Sequence, residues 1–304
     1  MRILLTNDDG IRAPGIVAMF DALLDAHGTL GGPLRAGNST QFLEVFTIAP
    51  LTVQSATSHG VTFHEPLMVS SVEVNERMSG VAVDGRPADC VKLAVSALWP
   101  ERFGQGARPD LIISGMNNGA NCGINVIYSG TVAAAIEGAF LGIPSIAISM
   151  LRGGCSPRFD LAAARARKVL DRLLARGLPG SHECISINIP LTEEPRDDAA
   201  RSGGPRPQVG PGHESFLQRV GLHEMPEVVV CPMNVHGLVD KYERRVSPSG
   251  DVYYWAAGHG LDFHATETGT DVDVLKQGRI TVTPLTYDLT RRDAIESLAQ
   301  RLRP

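Results

Sequence analysis

Short apolar stretches alternate with longer amphipathic stretches through the first part of the chain. The short runs predict buried strands, and the longer runs, in which apolar residues recur at helical spacing, predict helices. The predicted strands are Arg2–Thr6, Leu43–Ala49, Asp110–Ser114, Ser145–Met150 and Cys184–Ile189, and the predicted helices are Ile16–Ala26, Pro87–Trp99, Gly130–Leu141 and Leu161–Arg176. Such alternation predicts an α/β fold with a doubly wound, mostly parallel sheet.

The last third of the chain has a different pattern. Strand-like runs at 228–231, 242–246, 252–255 and 280–283 predict a β-rich region, followed by a final helix at 291–302. Glu193–Gly212 is rich in Pro, Gly, Asp and Arg and predicts an insertion without fixed structure. Gly28–Asn38 predicts a surface insertion. We therefore divide the chain into an α/β core at residues 1–190 and a β-rich region at residues 191–304, packed together as one unit.

Composition narrows the class of protein. Of the 304 residues, 43% are hydrophobic and 20% charged, and the formal net charge is -5, so an electrostatic footprint for duplex nucleic acid is not expected. The five cysteines are scattered singly and predict neither disulfides nor a zinc site. The apolar run at the N-terminus is too short for a signal peptide, and Glu137, Gly142 and Pro144 interrupt the run Val132–Leu151. We expect a cytoplasmic protein without a membrane span.

The polar residues that could carry chemistry follow the strands. In an open parallel sheet the loops at the carboxyl ends of the strands form the binding crevice, so Asn7–Gly15, Pro50–Ser58 and Gly115–Ser129 are expected to converge. They supply oxygen ligands typical of Mg²⁺ or Mn²⁺, namely Asp8, Asp9, Ser55 and Asn117. A cation would also cancel the repulsion between the adjacent carboxylates. The alternative is that the acids cap the next helix or form an Asx-turn.

A second candidate feature is a helix start. Ser129, Gly130 and Thr131 open the predicted helix 130–141, where free backbone N–H groups favour a phosphate. Ordinary N-capping by the hydroxyls is the alternative. The chain contains no GxxxxGK[ST], HExxH or GxSxG motif and no GxGxxG after the first strand. A metal ion beside a phosphate cradle suggests metal-assisted phosphoryl hydrolysis.

Several long stretches give the sequence a family resemblance. The chain resembles the SurE survival proteins, which are metal-dependent 5'-nucleotidases, through MRILLTNDDGIRAPGI, DGRPADCVKLAV, PDLIISGMNNGANCG, VIYSGTVAAAIEGAFLGIPSIAIS, SINIP and GTDVDVLKQGRITVTPL. The resemblance implies a Rossmann-like core, a β-rich C-terminal oligomerisation arm exchanged between subunits, and a homodimer or homotetramer. It further implies hydrolysis of nucleoside 5'-monophosphates with one divalent cation, Mg²⁺ or Mn²⁺, in each subunit.

The resemblance also assigns roles to individual positions. The family's metal ligands fall on Asp8, Asp9, Ser55 and Asn117, with Asp8 in the catalytic role, and its phosphate-binding segment falls on Asn121, Ser129, Gly130 and Thr131. The chain departs from the family pattern APDRxxSG at residues 49–56, where it reads APLTVQSA. The Asp, Arg and Gly are replaced and the serine is kept.

These observations support more than one function. The first hypothesis is a metal-dependent phosphomonoesterase that acts on nucleoside 5'-monophosphates. The altered loop motivates a second hypothesis, a catalytically weak nucleotide-binding or scaffold protein. A third, a broad-specificity acid phosphatase or exopolyphosphatase, would use the same site on other substrates.

Overall fold

A computed structural model describes residues 1–38, 41–193, 224–257 and 260–303 of the chain. Its main feature is a central, mostly parallel sheet with helices on both faces. The strands are β1 (Arg2–Thr6), β2 (Glu44–Pro50), β3 (Met68–Glu73), β4 (Ser79–Asp84), β5 (Leu111–Asn118), β6 (Ser145–Met150), β7 (Cys184–Ile189), β8 (Val228–Val230), β9 (Tyr242–Val246), β10 (Val252–Ala256) and β11 (Ile280–Leu285).

The helices mostly connect consecutive strands. They are α1 (Pro14–Leu24), α2 (Pro87–Leu93), α3 (Trp99–Phe103), α4 (Gly130–Phe140), α5 (Phe159–Leu174), α6 (Asp271–Lys276) and α7 (Ile295–Arg301). None of the helices in the described residues is long and apolar enough to cross a membrane.

The strand order reverses at the centre of the sheet. Within the described residues the order is β3-β4-β2-β1-β5-β6-β7-β11-β8. Strand β1 pairs in parallel with β2 on one side and with β5 on the other. The chain therefore moves outward in both directions from β1, which makes the carboxyl ends of β1 and β5 the topological switch point where ligands bind. This architecture confirms the predicted doubly wound α/β fold.

The apolar core lies on both faces of this sheet. Helices α1 and α5 pack together on one face, and α2 and α4 pack together on the other. Strand β1 shows why both faces are covered, because Ile3 and Leu5 belong to the cluster on the α1 side while Leu4 belongs to the cluster on the α2 side. Alternate residues of a strand point to opposite faces, so a continuous apolar run needs cover on both.

Three elements differ from the sequence prediction. The helix predicted to end at Trp99 continues through a π-helical turn at Ala94–Leu98 into α3. Strand β5, predicted to stop at Ser114, runs on to Asn118 because β6 pairs with it that far, across a register shift. The segment Gly28–Asn38 is not only a surface insertion, because its Leu34 is buried in the main core.

The β-rich C-terminal region contributes to two sheets. Strand β11 pairs antiparallel with β7 and parallel with β8, so both extend the central sheet. Strands β9 and β10 form a separate antiparallel hairpin, and every residue of these two strands is exposed. The predicted insertion at 193–212 lies outside the described residues apart from Glu193, and the division at residue 190 stays a prediction.

Candidate active site

The turn after β1 leaves two carboxylates unused by local structure. Asn7, not either acid, closes this turn: its Nδ2 donates to the Gly10 carbonyl at 2.9 Å, and the Gly10 N–H donates to Asn7 Oδ1 at 3.2 Å. Gly10 has a φ of 99°, a value that glycine adopts readily. Helix α1 begins after Ala13 without a side-chain cap. Asp8 and Asp9 thus serve as neither an Asx-turn nor a helix cap.

Asp8 is buried against the first turn of α4. Only 4% of Asp8 is exposed, and the Thr131 hydroxyl donates a short hydrogen bond to its Oδ1. Gly130 permits this approach, because a β-carbon there would lie 2.9 Å from Asp8 Cβ. Burial raises the pKa of Asp8 to about 6; the hydrogen bond from Thr131 opposes the rise and the charge of Asp9 adds to it.

Asp9 faces the end of β5. Its Oδ2 accepts the backbone N–H of Asn118 at 3.0 Å, and burial raises its pKa despite this bond. Next to it, Asn117 Nδ2 donates to the Gly119 carbonyl at 2.7 Å, which orients the amide. The role of its Oδ1 as a metal ligand stays a prediction. The side-chain oxygen of Asn118 is buried, and nothing in the described parts of the chain donates to it. Around Asp9, Asn117 and Asn118, oxygen acceptors therefore outnumber hydrogen-bond donors.

The donor set fits a hard divalent cation. Two adjacent carboxylates with raised pKa values and an amide oxygen form a site that lacks positive charge, and a cation would relieve that imbalance. No group of three or more His, Cys, Asp or Glu side chains that could hold a metal occurs within the described ranges. A metal here would thus depend on neutral oxygen ligands in addition to Asp8 and Asp9, which is typical of Mg²⁺ or Mn²⁺ and unlike zinc.

The third loop of the site, Leu51–His59, is called the 51–59 loop below. The Pro50 carbonyl accepts the N–H of Ile11 at 2.9 Å, and the Gln54 N–H donates to the Asp8 carbonyl at 2.8 Å. Ser55, the predicted metal ligand, follows Gln54 directly and is exposed. The loop thus touches the turn that carries both acids, as expected from the strand order.

The start of α4 shows the capping alternative for Ser129. Ser129 is the N-cap, and its Oγ accepts the N–H of Val132 at 3.1 Å. Thr131 instead turns toward Asp8. Both hydroxyls are thus engaged, and Asp8 also receives a hydrogen bond from the Thr131 backbone. A phosphate-binding role for this helix start stays a prediction.

Asn121 belongs to a buried polar network with β6 and β7. Its Nδ2 donates to Ser149 Oγ at 2.8 Å, while its backbone N–H donates to Asn188 Oδ1 at 2.8 Å. These bonds tie the loop after β5 to β6 and β7. The structure therefore brings Asp8, Gly130 and Thr131 into contact and places Asp9 beside the end of β5, but it shows no contact between Asn121 and Asp8. A substrate-binding role for Asn121 stays a prediction.

Sequence reasoning missed an ionic cluster beside the site. Glu137 is buried on α4, and its carboxylate accepts His59 Nε2 at 2.8 Å and Lys92 Nζ at 3.0 Å. These partners hold the pKa of Glu137 below its ordinary value although burial acts in the opposite direction. A signal was present in the sequence, because Glu137 is a single acid within the apolar run VAAAIEGAF. A buried acid in such a helix needs a partner.

Comparisons with known proteins identify the family of this chain. A family profile described as "Survival protein SurE" matches residues 3–202. The 5'-nucleotidase SurE of Rhodopirellula baltica is 38% identical over 305 residues, covering 100% of both chains. The 5'-nucleotidase SurE of Heliobacterium modesticaldum is 36% identical over 303 residues, covering 99% of this chain and 92% of that protein.

A solved structure extends the similarity to the fold. The crystal structure of the SurE protein from Aquifex aeolicus superposes with a TM-score of 0.68 at 28% sequence identity, and the match covers 99% of each chain. The family profile covers more than half of the chain, and relatives above 30% identity match it over nearly its whole length. The chain therefore belongs to the SurE family.

Proposed function

We propose that this protein is a phosphomonoesterase that hydrolyses nucleoside 5'-monophosphates to nucleoside and phosphate with one divalent cation, Mg²⁺ or Mn²⁺, in each subunit. The observation that carries the proposal is the burial of Asp8 at the switch point of the sheet, in direct contact with the helix start at Gly130 and Thr131. Relatives named 5'-nucleotidase SurE that match the whole chain support the substrate class.

The chain's own residues would divide the work as follows. Asp8, Asp9, Ser55 and Asn117 would hold the cation, which supplies Lewis-acid polarisation of the phosphoryl group. The N-terminus of α4 would orient the phosphate through backbone N–H groups. Thr131 fixes one oxygen of Asp8 by its hydrogen bond and so would hold this carboxylate in the orientation that its catalytic role requires. Ser129 would shape this helix start, with Asn121 stiffening the loop beyond β5.

A specific feature favours a second candidate function. Leu51 and Val53 occupy the altered part of the loop beside the site, and their side chains are exposed. Exposed apolar groups at this position give less polar support to a metal ion than a charged loop would. A nucleotide-binding protein with weak turnover is the function that this feature would produce.

We also propose a homodimer or homotetramer in the cytoplasm. The exposed β9–β10 hairpin carries apolar side chains, including Tyr242, Tyr254 and Trp255, that an oligomer would cover. All five cysteines are free, which suits a reducing compartment. Light scattering on the purified protein tests the oligomer, and a single monomeric species at micromolar concentration would contradict it.

The activity is tested by phosphate release from nucleoside 5'- and 3'-monophosphates and p-nitrophenyl phosphate, in Mn²⁺, in Mg²⁺ and in EDTA. We expect metal-dependent hydrolysis of the 5'-monophosphates and a loss of about hundredfold or more in Asp8→Asn, because a carboxylate ligand is removed. Asp21→Asn is the matched control, since Asp21 lies on α1 and pairs with Arg77. A folded wild type that binds Mn²⁺ and nucleotide without releasing phosphate would reject the enzyme in favour of the binding protein.

A further inference from the structure

The 51–59 loop is held in a conformation that it would not adopt alone. Ala56 and Ser58 have φ values of 56° and 54°, a left-handed region that residues other than glycine rarely occupy. Such conformations persist only where the surrounding structure holds them. One attachment is the hydrogen bond from the Gln54 N–H to the Asp8 carbonyl described above. The Leu51 N–H also donates to the Val83 carbonyl at 2.7 Å, and further attachments lie at the far end of the loop.

Ser58 attaches the loop to the segment before α4. Its N–H donates to the Tyr128 carbonyl at 3.1 Å and its hydroxyl donates to the Ile127 carbonyl at 2.8 Å. Both acceptors directly precede Ser129, the N-cap of α4. The loop therefore contacts the two parts of the site, the carboxylate turn and the helix start, between which a metal ion and a phosphate would bind.

His59 attaches the loop to α4 itself. Its Nε2 lies 2.8 Å from Glu137 Oε2, a carboxylate whose side chain is 5% exposed. The ring of His59 also stacks on Phe140, with ring centroids 5.2 Å apart and planes inclined by 9°. Phe140 is supported in turn by an edge contact with Tyr287. A polar and an aromatic contact together fix both the position and the plane of the His59 ring.

Lys92 offers a control for the contact between His59 and Glu137. Its Nζ lies 3.0 Å from the other carboxylate oxygen of Glu137, and it belongs to α2, not to the 51–59 loop. Glu137 therefore has one partner on the loop and one on a separate helix. Removal of either partner takes a similar contact from the same carboxylate, but only removal of His59 releases the loop.

We propose that His59 is a positioning residue for the metal site: by its contacts with Glu137 and Phe140 it holds the 51–59 loop so that Ser55 reaches the cation bound by Asp8 and Asp9. This inference rests on the proposed function, since Ser55 matters only if a metal binds there. His59 acts through the loop and touches neither substrate nor metal. Backbone bonds from Leu51 and Gln54 hold the first half of the loop, so the half that follows Ser55 depends on Ser58 and His59.

The test measures metal binding without catalysis. Metal-free protein is titrated with Mn²⁺ by calorimetry for wild type, His59→Ala, His59→Phe, His59→Gln and Lys92→Met. We expect His59→Ala to weaken Mn²⁺ binding about tenfold, the lower end of the effect of residues that support metal ligands. His59→Phe keeps the stacking and loses the hydrogen bond, so it should also weaken binding. His59→Gln places an amide N–H where the ring Nε2 lies and should recover most of the affinity.

Two further readouts separate positioning from general stability. Hydrogen exchange should show faster exchange of the Gln54 and Ser58 amides in His59→Ala and unchanged exchange in Lys92→Met. With adenosine 5'-monophosphate as substrate, His59→Ala should need more Mn²⁺ for half-maximal activity while keeping most of its kcat at saturating Mn²⁺. A folded state is confirmed for each variant by circular dichroism.

The outcomes are distinguishable. Weakened Mn²⁺ binding in His59→Ala and His59→Phe, with recovery in His59→Gln and wild-type affinity in Lys92→Met, supports the proposal. Wild-type affinity in His59→Ala, or equal weakening in His59→Ala and Lys92→Met, overturns it while leaving the proposed function intact. A wild type that neither binds Mn²⁺ nor hydrolyses nucleotides overturns the proposed function and this inference with it.

Discussion

Asp8 is expected to destabilise the metal-free protein, so its replacement by asparagine should increase stability while removing activity. Burial raises its pKa from an ordinary value of 3.8 to about 6. A rise of this size corresponds to about 3 kcal/mol of unfavourable free energy for the ionised form in the folded state. Asparagine carries no charge and keeps an oxygen that can accept the hydrogen bond from Thr131. We therefore expect Asp8→Asn to be about 1–3 kcal/mol more stable than wild type at pH 8.

The sign of the pH dependence follows from the direction of the shift. Because the folded pKa of Asp8 is raised, the folded state binds this proton more tightly, and the contribution of Asp8 to the stability of wild type falls as the pH rises from about 4 through about 6. The advantage of Asp8→Asn should thus be small at pH 4 and constant above pH 7.

Urea unfolding in EDTA at pH 4, 6 and 8 measures this difference. Saturating Mn²⁺ should reverse the order at pH 8, because a ligand that binds only the folded state stabilises wild type by mass action. Asp21→Asn is again the control and should show no gain, since Asp21 pairs with Arg77 at 3.0 Å. If Asp8→Asn is no more stable than wild type at pH 8 in EDTA, the argument that Asp8 is a buried charge without a compensating cation is refuted.

Three further substitutions test the structure around this site. Gly130→Ala adds a β-carbon 2.9 Å from Asp8 Cβ and should lower kcat/KM about tenfold to hundredfold in steady-state assays, because the carboxylate must shift. Asn121→Ala removes a buried hydrogen bond and should cost about 1–3 kcal/mol in urea unfolding; a higher KM at unchanged stability would instead assign Asn121 to substrate binding. Arg167→Met removes the donor to the Gly32 carbonyl and should cost about 2–4 kcal/mol, with faster proteolysis of the segment that contains Gly32.

The sequence by itself determined the elements and the chemical inventory of the site. Hydrophobic periodicity is a local property, so it identified β1, α1, β6 and β7 within a few residues and predicted the sheet class. Polar residues directly after buried strands indicated the site, because the carboxyl ends of parallel strands lie at one edge of the sheet. Asp8 and Asp9 were recognisable on this ground alone.

Only the tertiary structure decided how these residues are used. Asn7 rather than an acid closes the turn after β1, and the hydroxyl of Thr131 meets Asp8 across 123 positions of sequence. Asn121 turns toward Ser149, 28 positions away. Glu137, a single acid in the apolar helix α4, pairs with His59 on the 51–59 loop and with Lys92 on α2. Such pairings depend on strand order and on which helices share a face of the sheet. Local periodicity does not encode these long-range relations, because each strand's own pattern is the same whichever neighbour it pairs with.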